Sequence, residues 1–165
     1  MIKTIFIWLG VFLLAFILQT TLVPSLAIYG VKPDLLMLAL FMMAIKTGVM
    51  PAIFIGFIIG LSQDIYSPSV LGQSALAKTL AGFFASLFNE KVMRLDPVIL
   101  GIILILTFFV NDLSIYAVQV VKSGGSLGAV AKEIVGPTFP RALYTLVFAV
   151  IPILWEQFTV LKTRR

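Results

Sequence analysis

No charged side chain lies between Lys3 and Lys32 in this chain. A helix needs about 20 predominantly apolar residues to cross the hydrocarbon core of a bilayer, and this stretch is long enough to supply them. The rest of the chain has the same character, since 61% of its residues are hydrophobic and 12% are charged, against about 25% charged in a soluble domain. The sequence therefore predicts an integral membrane protein.

The chain length limits the number of spans. At roughly 26 residues for a span and its connection, 165 residues allow about six spans. We expect a single integral membrane domain over residues 1–165, an all-α polytopic membrane helix bundle with six transmembrane spans. The approximate spans are 5–24, 34–48, 51–66, 71–88, 97–121 and 137–161. This leaves no room for a soluble catalytic, nucleotide-binding or DNA-binding domain, and nucleic acid is not expected as a partner.

The distribution of cations predicts the orientation. Placing the N-terminus in the cytoplasm puts more Lys and Arg residues inside than outside, as the positive-inside rule requires. The inside group is Lys3, Lys46, Lys91, Arg94, Lys162, Arg164 and Arg165, and the outside group is Lys32, Lys122 and Lys132. Both termini are therefore expected in the cytoplasm. A cleaved signal peptide is the alternative interpretation of the first span, because Lys3 precedes an apolar run that ends near small residues.

The chain contains no Cys and no His. This excludes thiol nucleophiles, imidazole bases and nearly every transition-metal site, so no metal and no cofactor is expected. A membrane-embedded enzyme would need Asp64 and Asp112 as an acid pair, or Lys78 as a base. Cations near those acids would favour their ionised forms and would work against a shared proton. We therefore expect a protein that is not an enzyme.

Small residues recur every four positions in the third predicted span, at Gly48, Ala52, Gly56 and Gly60. Residues with this spacing share one helix face, on which another backbone can approach closely. Gly82 offers a shorter version of such a face in the fourth span. The pattern favours packing among the protein's own helices, with a partner protein or a second copy of the chain as the alternative.

Four ionisable residues fall inside or near the ends of the predicted spans: Asp64, Lys78, Asp112 and Arg141. Such residues tend to face the bundle interior or a water-filled cavity. Counting 1.5 Å per residue puts Lys78 and Asp112 at a similar depth, roughly 12 to 15 Å from the outer surface, so we predict that they pair. The cluster has three interpretations: it holds the bundle together, it binds a ligand, lipid, precursor or proton, or its members are separately solvated.

Several ordered fragments resemble the MreD family of rod shape-determining proteins. They lie mainly between residues 15 and 90 and include the small outer turn at Pro33 and Asp34. The fragments are Gln19–Pro24, Lys32–Leu38, Gly56–Asp64, Leu71–Gly72, Ala75–Gly82 and the later pair Pro140–Arg141. Each fragment is short, but together their order and spacing are specific.

The resemblance implies a function that the residue patterns do not show by themselves. Members of this family are bacterial inner-membrane components of the cell-elongation machinery. They bind MreC and link the actin-like MreB, directly or through MreC, to the glycosyltransferase RodA and its class B penicillin-binding protein. The family fold is similar to the substrate-binding subunits of energy-coupling-factor transporters, so a vitamin-capture subunit is the alternative. The family has no established catalytic residues. The sequence does not indicate which face would bind each partner, membrane lipid or a second copy of the chain.

Overall fold

A computed structural model of the protein describes residues 2–28, 31–66, 71–89, 96–123 and 138–150. The helices in these ranges are α1 (Ile2–Thr21), a short 3₁₀ turn (Val23–Leu26), α2 (Leu35–Thr47), α3 (Val49–Tyr66), α4 (Gln73–Ser86), α5 (Pro97–Ser123) and α6 (Thr138–Val150). The described residues contain no β-strand beyond an isolated bridge between Ile28 and Val31. The predicted all-α class is therefore confirmed. The part of the sixth predicted span at residues 151–161 lies outside the described residues.

The helices differ in their suitability for crossing a membrane. Within the described residues, α3 and the Pro97–Lys122 part of α5 are long and apolar enough, while Phe6–Thr21, α2 and α6 are apolar but shorter. Large apolar side chains on the outside of the molecule are strongly exposed, for example Leu13 at 60% and Val98 at 73%. Exposed apolar surface of this extent is typical of a protein whose outer face contacts lipid.

Helix α2 lies at the centre of the bundle and contacts α1, α3, α4 and α5. All of its residues from Leu36 to Ile45 are buried, which explains why the segment is apolar on every side. The helix begins at Asp34, whose Oδ1 accepts a hydrogen bond of 2.8 Å from the amide of Met37. It ends at Gly48, which has a φ of 95°. Few residues other than glycine adopt such a value.

Helices α3 and α4 pack backbone against backbone through small residues. A Cβ atom added to Gly56 would lie 2.6 Å from the carbonyl oxygen of Lys78, and one added to Gly82 would lie 2.8 Å from that of Ala52. Gly60 faces the backbone of Ala75 in the same way. The predicted small-residue face thus packs on α4, so these positions cannot also be the backbone contact of a second protein. Gly48 is not part of this face, because it lies in the link before α3.

Helix α1 lies at the edge of the bundle and contacts α2 and the 3₁₀ turn. The side-chain amide of Gln19 donates to the carbonyl oxygen of Pro33 (3.2 Å) and accepts from the amide of Leu35 (2.8 Å). These two hydrogen bonds attach the end of α1 to the start of α2, where Asp34 begins the charged network described next.

Candidate functional site

Lys78 forms an ion pair with Asp34 between α4 and the start of α2. The Nζ atom of Lys78 lies 3.3 Å from Oδ2 of Asp34, and the two side chains are 2% and 15% exposed. The predicted pair of Lys78 with Asp112 is therefore wrong. The sequence had placed Asp34 with Pro33 in an outer turn, but Pro33 is buried and the Asp34 carboxylate both caps α2 and neutralises Lys78.

Asp112 pairs instead with Arg141, which joins α5 to α6. The guanidinium group of Arg141 donates to Oδ1 of Asp112. The same oxygen accepts from the side-chain amide of Asn111 (2.8 Å), and Oδ2 accepts from the hydroxyl of Thr138 (2.7 Å). Arg141 also lies over the ring of Phe108, 6.0 Å from its centroid, at a distance where a cation is attracted to an aromatic face.

Asp64 holds the start of α4 through backbone groups. Its carboxylate accepts hydrogen bonds from the amides of Gly72 (2.9 Å), Ser74 (2.9 Å) and Ala75 (3.1 Å). The first amides of a helix have no partner within the helix, and a carboxylate is a favourable acceptor for them. Gly72 has a φ of 93°, so glycine suits the turn that presents these amides. Asp64 therefore acts as a cap contributed by α3.

Helix α6 connects the two ion pairs. The hydroxyl of Thr145 accepts from the amide of Asp34 (3.1 Å) and donates to the carbonyl oxygen of Arg141 (2.9 Å). The hydroxyl of Tyr144 donates to the carbonyl oxygen of Leu26 (2.8 Å). Asp34, Lys78, Asp112 and Arg141, with Thr145 between them, are called the charge network below. It ties four helices together at the end of the bundle where α2, α4 and α6 begin.

The sequence interpretation missed three members of this site. Asp34 was assigned only to a turn, although an Asp directly before an apolar helix is a common N-cap and Lys78 required a buried acid. Thr138 and Thr145 carried no signal, because hydroxyls occur in membrane helices for many reasons and commonly bond to their own backbone. Both are fully buried.

The arrangement supports packing and recognition more directly than chemistry. Each acid of the site has its own donors, and no two of these carboxylates share a hydrogen bond. The described residues contain no group of three His, Cys, Asp or Glu side chains that could hold a metal ion. Among the buried side-chain atoms of the described ranges, Oδ1 of Asn111 and Nε of Arg141 lack a hydrogen-bond partner. The Arg141 side chain is 31% exposed, so this is the part of the network closest to the surface.

Comparison with known protein families matches residues 1–161 to the rod shape-determining protein MreD. The match covers the fragments in the first half and also α5 and α6, for which the sequence alone offered little beyond hydropathy and Pro140–Arg141. Comparisons with curated proteins and with solved structures found no match. The resemblance noted from the sequence is confirmed, and with it a role in determining rod shape and a place in the membrane. The chain belongs to the MreD family of rod shape-determining membrane proteins.

Proposed function

We propose that this protein is a non-enzymatic component of the bacterial cell-elongation machinery in the cytoplasmic membrane. In this role it binds MreC and helps couple MreB to peptidoglycan synthesis by RodA and its class B penicillin-binding protein. The observation that carries the proposal is the family match over residues 1–161, because it includes every described helix and the whole charge network.

Three acidic residues of the described helices and turns, Asp34, Asp64 and Asp112, are already bonded to other groups, and this supports a role without catalysis. A general acid or base must have a proton or a lone pair free for the substrate. Asp64 binds backbone amides, Asp34 binds Lys78 and an amide, and Asp112 binds Arg141, Thr138 and Asn111. Breaking such contacts to begin a reaction would leave buried charges without partners, which is costly.

The charge network supports a role in presenting a surface to MreC. It fixes α6 against the start of α2 through Thr145 and Asp34, so the position of Arg141 depends on contacts from several helices. The guanidinium group of Arg141 is partly exposed and carries five N–H donors, so it can donate to an acidic or carbonyl group of a partner as well as to Asp112. We infer that the network tunes the shape and charge of this end of the bundle for MreC.

Capture of MreC by the full-length protein tests this proposal. The tagged protein and its Arg141→Gln variant are crosslinked in cells, gently solubilised and compared for MreC recovery, with Lys122→Gln as the matched loss of an exposed cation. We expect recovery with the original protein and Lys122→Gln, and at least fivefold less with Arg141→Gln. Absence of MreC from every sample would refute the partner, whereas equal recovery by both variants would refute only the role of the network.

The proposed topology has six spans with both termini in the cytoplasm, in an arrangement similar to the substrate-binding subunits of energy-coupling-factor transporters. Because the chain has no cysteine, a single introduced cysteine reports its own location. Lys32→Cys should react with a membrane-impermeant maleimide on intact spheroplasts. Asn89→Cys should react only after the membrane is opened. The reverse labelling pattern would mean that the protein has the opposite orientation. Equal labelling of both sites on intact spheroplasts would contradict the proposed topology.

A further inference from the structure

An apolar groove runs between α1 and α3 on the outside of the bundle. Both helices contact α2, yet their backbones do not contact each other. Leu9, Leu13 and Phe16 form one wall, Ile58 and Ile65 form the other, and Leu36 lies at the floor. The groove has a volume of about 470 Å³. It extends along the helices for about eight residues of α3, or roughly 12 Å.

The walls of the groove suit a narrow apolar chain better than a helix. Close helix contacts in membranes use small residues, whereas Leu, Ile and Phe predominate here. The hydroxyl of Ser62 lines the groove but donates to the carbonyl oxygen of Ile58 (2.9 Å). It therefore leaves no donor for a polar partner.

One end of the groove carries the features of a membrane interface. The rings of Phe16 and Tyr66 meet edge to face, with centroids 5.5 Å apart, and Tyr66 is 76% exposed. Tyrosine favours the level of the lipid headgroups. Lys32 is exposed. It lies near this end of the groove because the carbonyl oxygen of the neighbouring Pro33 accepts a hydrogen bond from Gln19 of α1. Asp34 and Asp64, the nearby acids among the described residues, are engaged with other groups.

We propose that this groove binds one acyl chain of an anionic phospholipid, with the phosphate near Lys32 and Tyr66. The apolar walls would hold the chain through dispersion contacts, and the cation would select the charge of the headgroup. The groove is lined by residues of α1, α2 and α3, whereas Arg141 belongs to α6. The proposal is therefore independent of MreC binding. A bound chain would fill the space that separates α1 from α3.

Photocrosslinking locates the lipid. The full-length protein is placed in nanodiscs of phosphatidylcholine containing a small fraction of phosphatidylglycerol with a diazirine on its acyl chain, and the adducts are mapped by mass spectrometry. Ile58→Trp fills the groove, and Leu113→Trp adds the same ring at an exposed apolar position of α5 that lies outside it. Lys32→Gln removes the proposed phosphate contact, and Lys122→Gln is its control. Photoreactive phosphatidylcholine is tested in parallel.

We expect adducts concentrated on α1 and α3, lost at least fivefold in Ile58→Trp and kept in Leu113→Trp. Lys32→Gln should reduce phosphatidylglycerol adducts about fivefold, the effect of one cation near an anionic headgroup, without changing phosphatidylcholine adducts. Should Ile58→Trp lose its helix content, Leu13→Trp fills the groove from the other wall. The proposal would be overturned if adducts on α1 and α3 of the original protein were no more frequent than adducts on the outer face of α5. Displacement of the phospholipid by a polyprenyl phosphate, or occupation of the groove by a protein helix, would also overturn it.

Discussion

The ammonium group of Lys78 lies 3.3 Å from the carboxylate of Asp34, a residue 44 positions earlier in the chain. The pair joins α4 to the first turn of the central helix α2. Lys78 is 2% exposed, so the charge has little access to solvent or to lipid headgroups. Asp34 also caps α2 through the amide of Met37. The position of α2 and the neutralisation of Lys78 therefore depend on the same side chain.

Breaking this pair from one side should destabilise the protein by about 3–5 kcal/mol, because the remaining charge is left buried without its partner. We expect this loss for Lys78→Met and for Asp34→Asn, in which asparagine keeps a cap for α2. The double variant should lose much less than the sum of the two. Circular dichroism during unfolding in detergent measures the free energy of unfolding of the two single variants and the double variant.

A second mutant cycle separates this pairing from the one predicted from the sequence. Lys78→Met combined with Asp112→Asn should show a much smaller coupling energy, because Asp112 has Arg141 as its partner. Residues that share no partner usually add to within about 0.5 kcal/mol. A larger coupling of Lys78 to Asp112 than to Asp34 would contradict the network described here.

The sequence predicted where the helices lie but not which charges meet. Depth in the membrane can be counted along one helix, and it placed Lys78 level with Asp112. Side chains, however, point toward the N-terminus of their helix. The start of α4 lies beside the end of α5, since Gln73 donates to the carbonyl oxygen of Ile115. Lys78 therefore extends toward the end of the bundle where Asp34 lies and pairs with it, while Asp112 bonds to Thr138 and Arg141 of α6.

The glycine face was easier to predict, because small residues at a spacing of four indicate a close backbone contact without naming the partner. The structure supplies α4 as that partner. The difference between Gly48 and the other glycines was not visible in the spacing. It arises from the backbone, since a φ of 95° ends α2 before α3 begins.

Gly56→Ala should destabilise the protein by about 1–3 kcal/mol, the usual range for overpacking. Its new methyl group would lie 2.6 Å from the carbonyl oxygen of Lys78, and neither backbone can move without separating α3 from α4. Gly10→Ala is the matched control, because nothing lies within 4 Å of its Cβ position. There the better helix propensity of alanine should leave the protein unchanged or up to about 1 kcal/mol more stable. Equal unfolding temperatures for the two variants would refute the close contact.

Asp64→Asn should loosen the start of α4 without unfolding the bundle. The carboxylate receives three backbone amides, whereas an asparagine side chain has one accepting oxygen and two donors. An amide left without its acceptor costs about 1–3 kcal/mol. Hydrogen exchange should therefore accelerate at Gly72, Ser74 and Ala75 and stay slow in α2. Ser62→Ala, which removes a hydroxyl bonded only within α3, should leave all of these rates unchanged. Unaltered exchange in Asp64→Asn would show that the cap contributes little.

Gln19→Met should weaken the attachment of α1 to the bundle. The variant preserves the size of the side chain but removes both hydrogen bonds, the one to Pro33 and the one from Leu35. Hydrogen bonds between membrane helices contribute about 0.6 kcal/mol on average, so we expect a loss of roughly 1–2 kcal/mol. Gln19→Glu retains an acceptor for Leu35 and should lose less. Crosslinking by a short bis-maleimide of cysteines introduced at Phe16 and Tyr66, whose rings are in contact, reports the separation of α1 from α3. It should slow in Gln19→Met, and an unchanged rate would mean that apolar packing alone holds α1 in place.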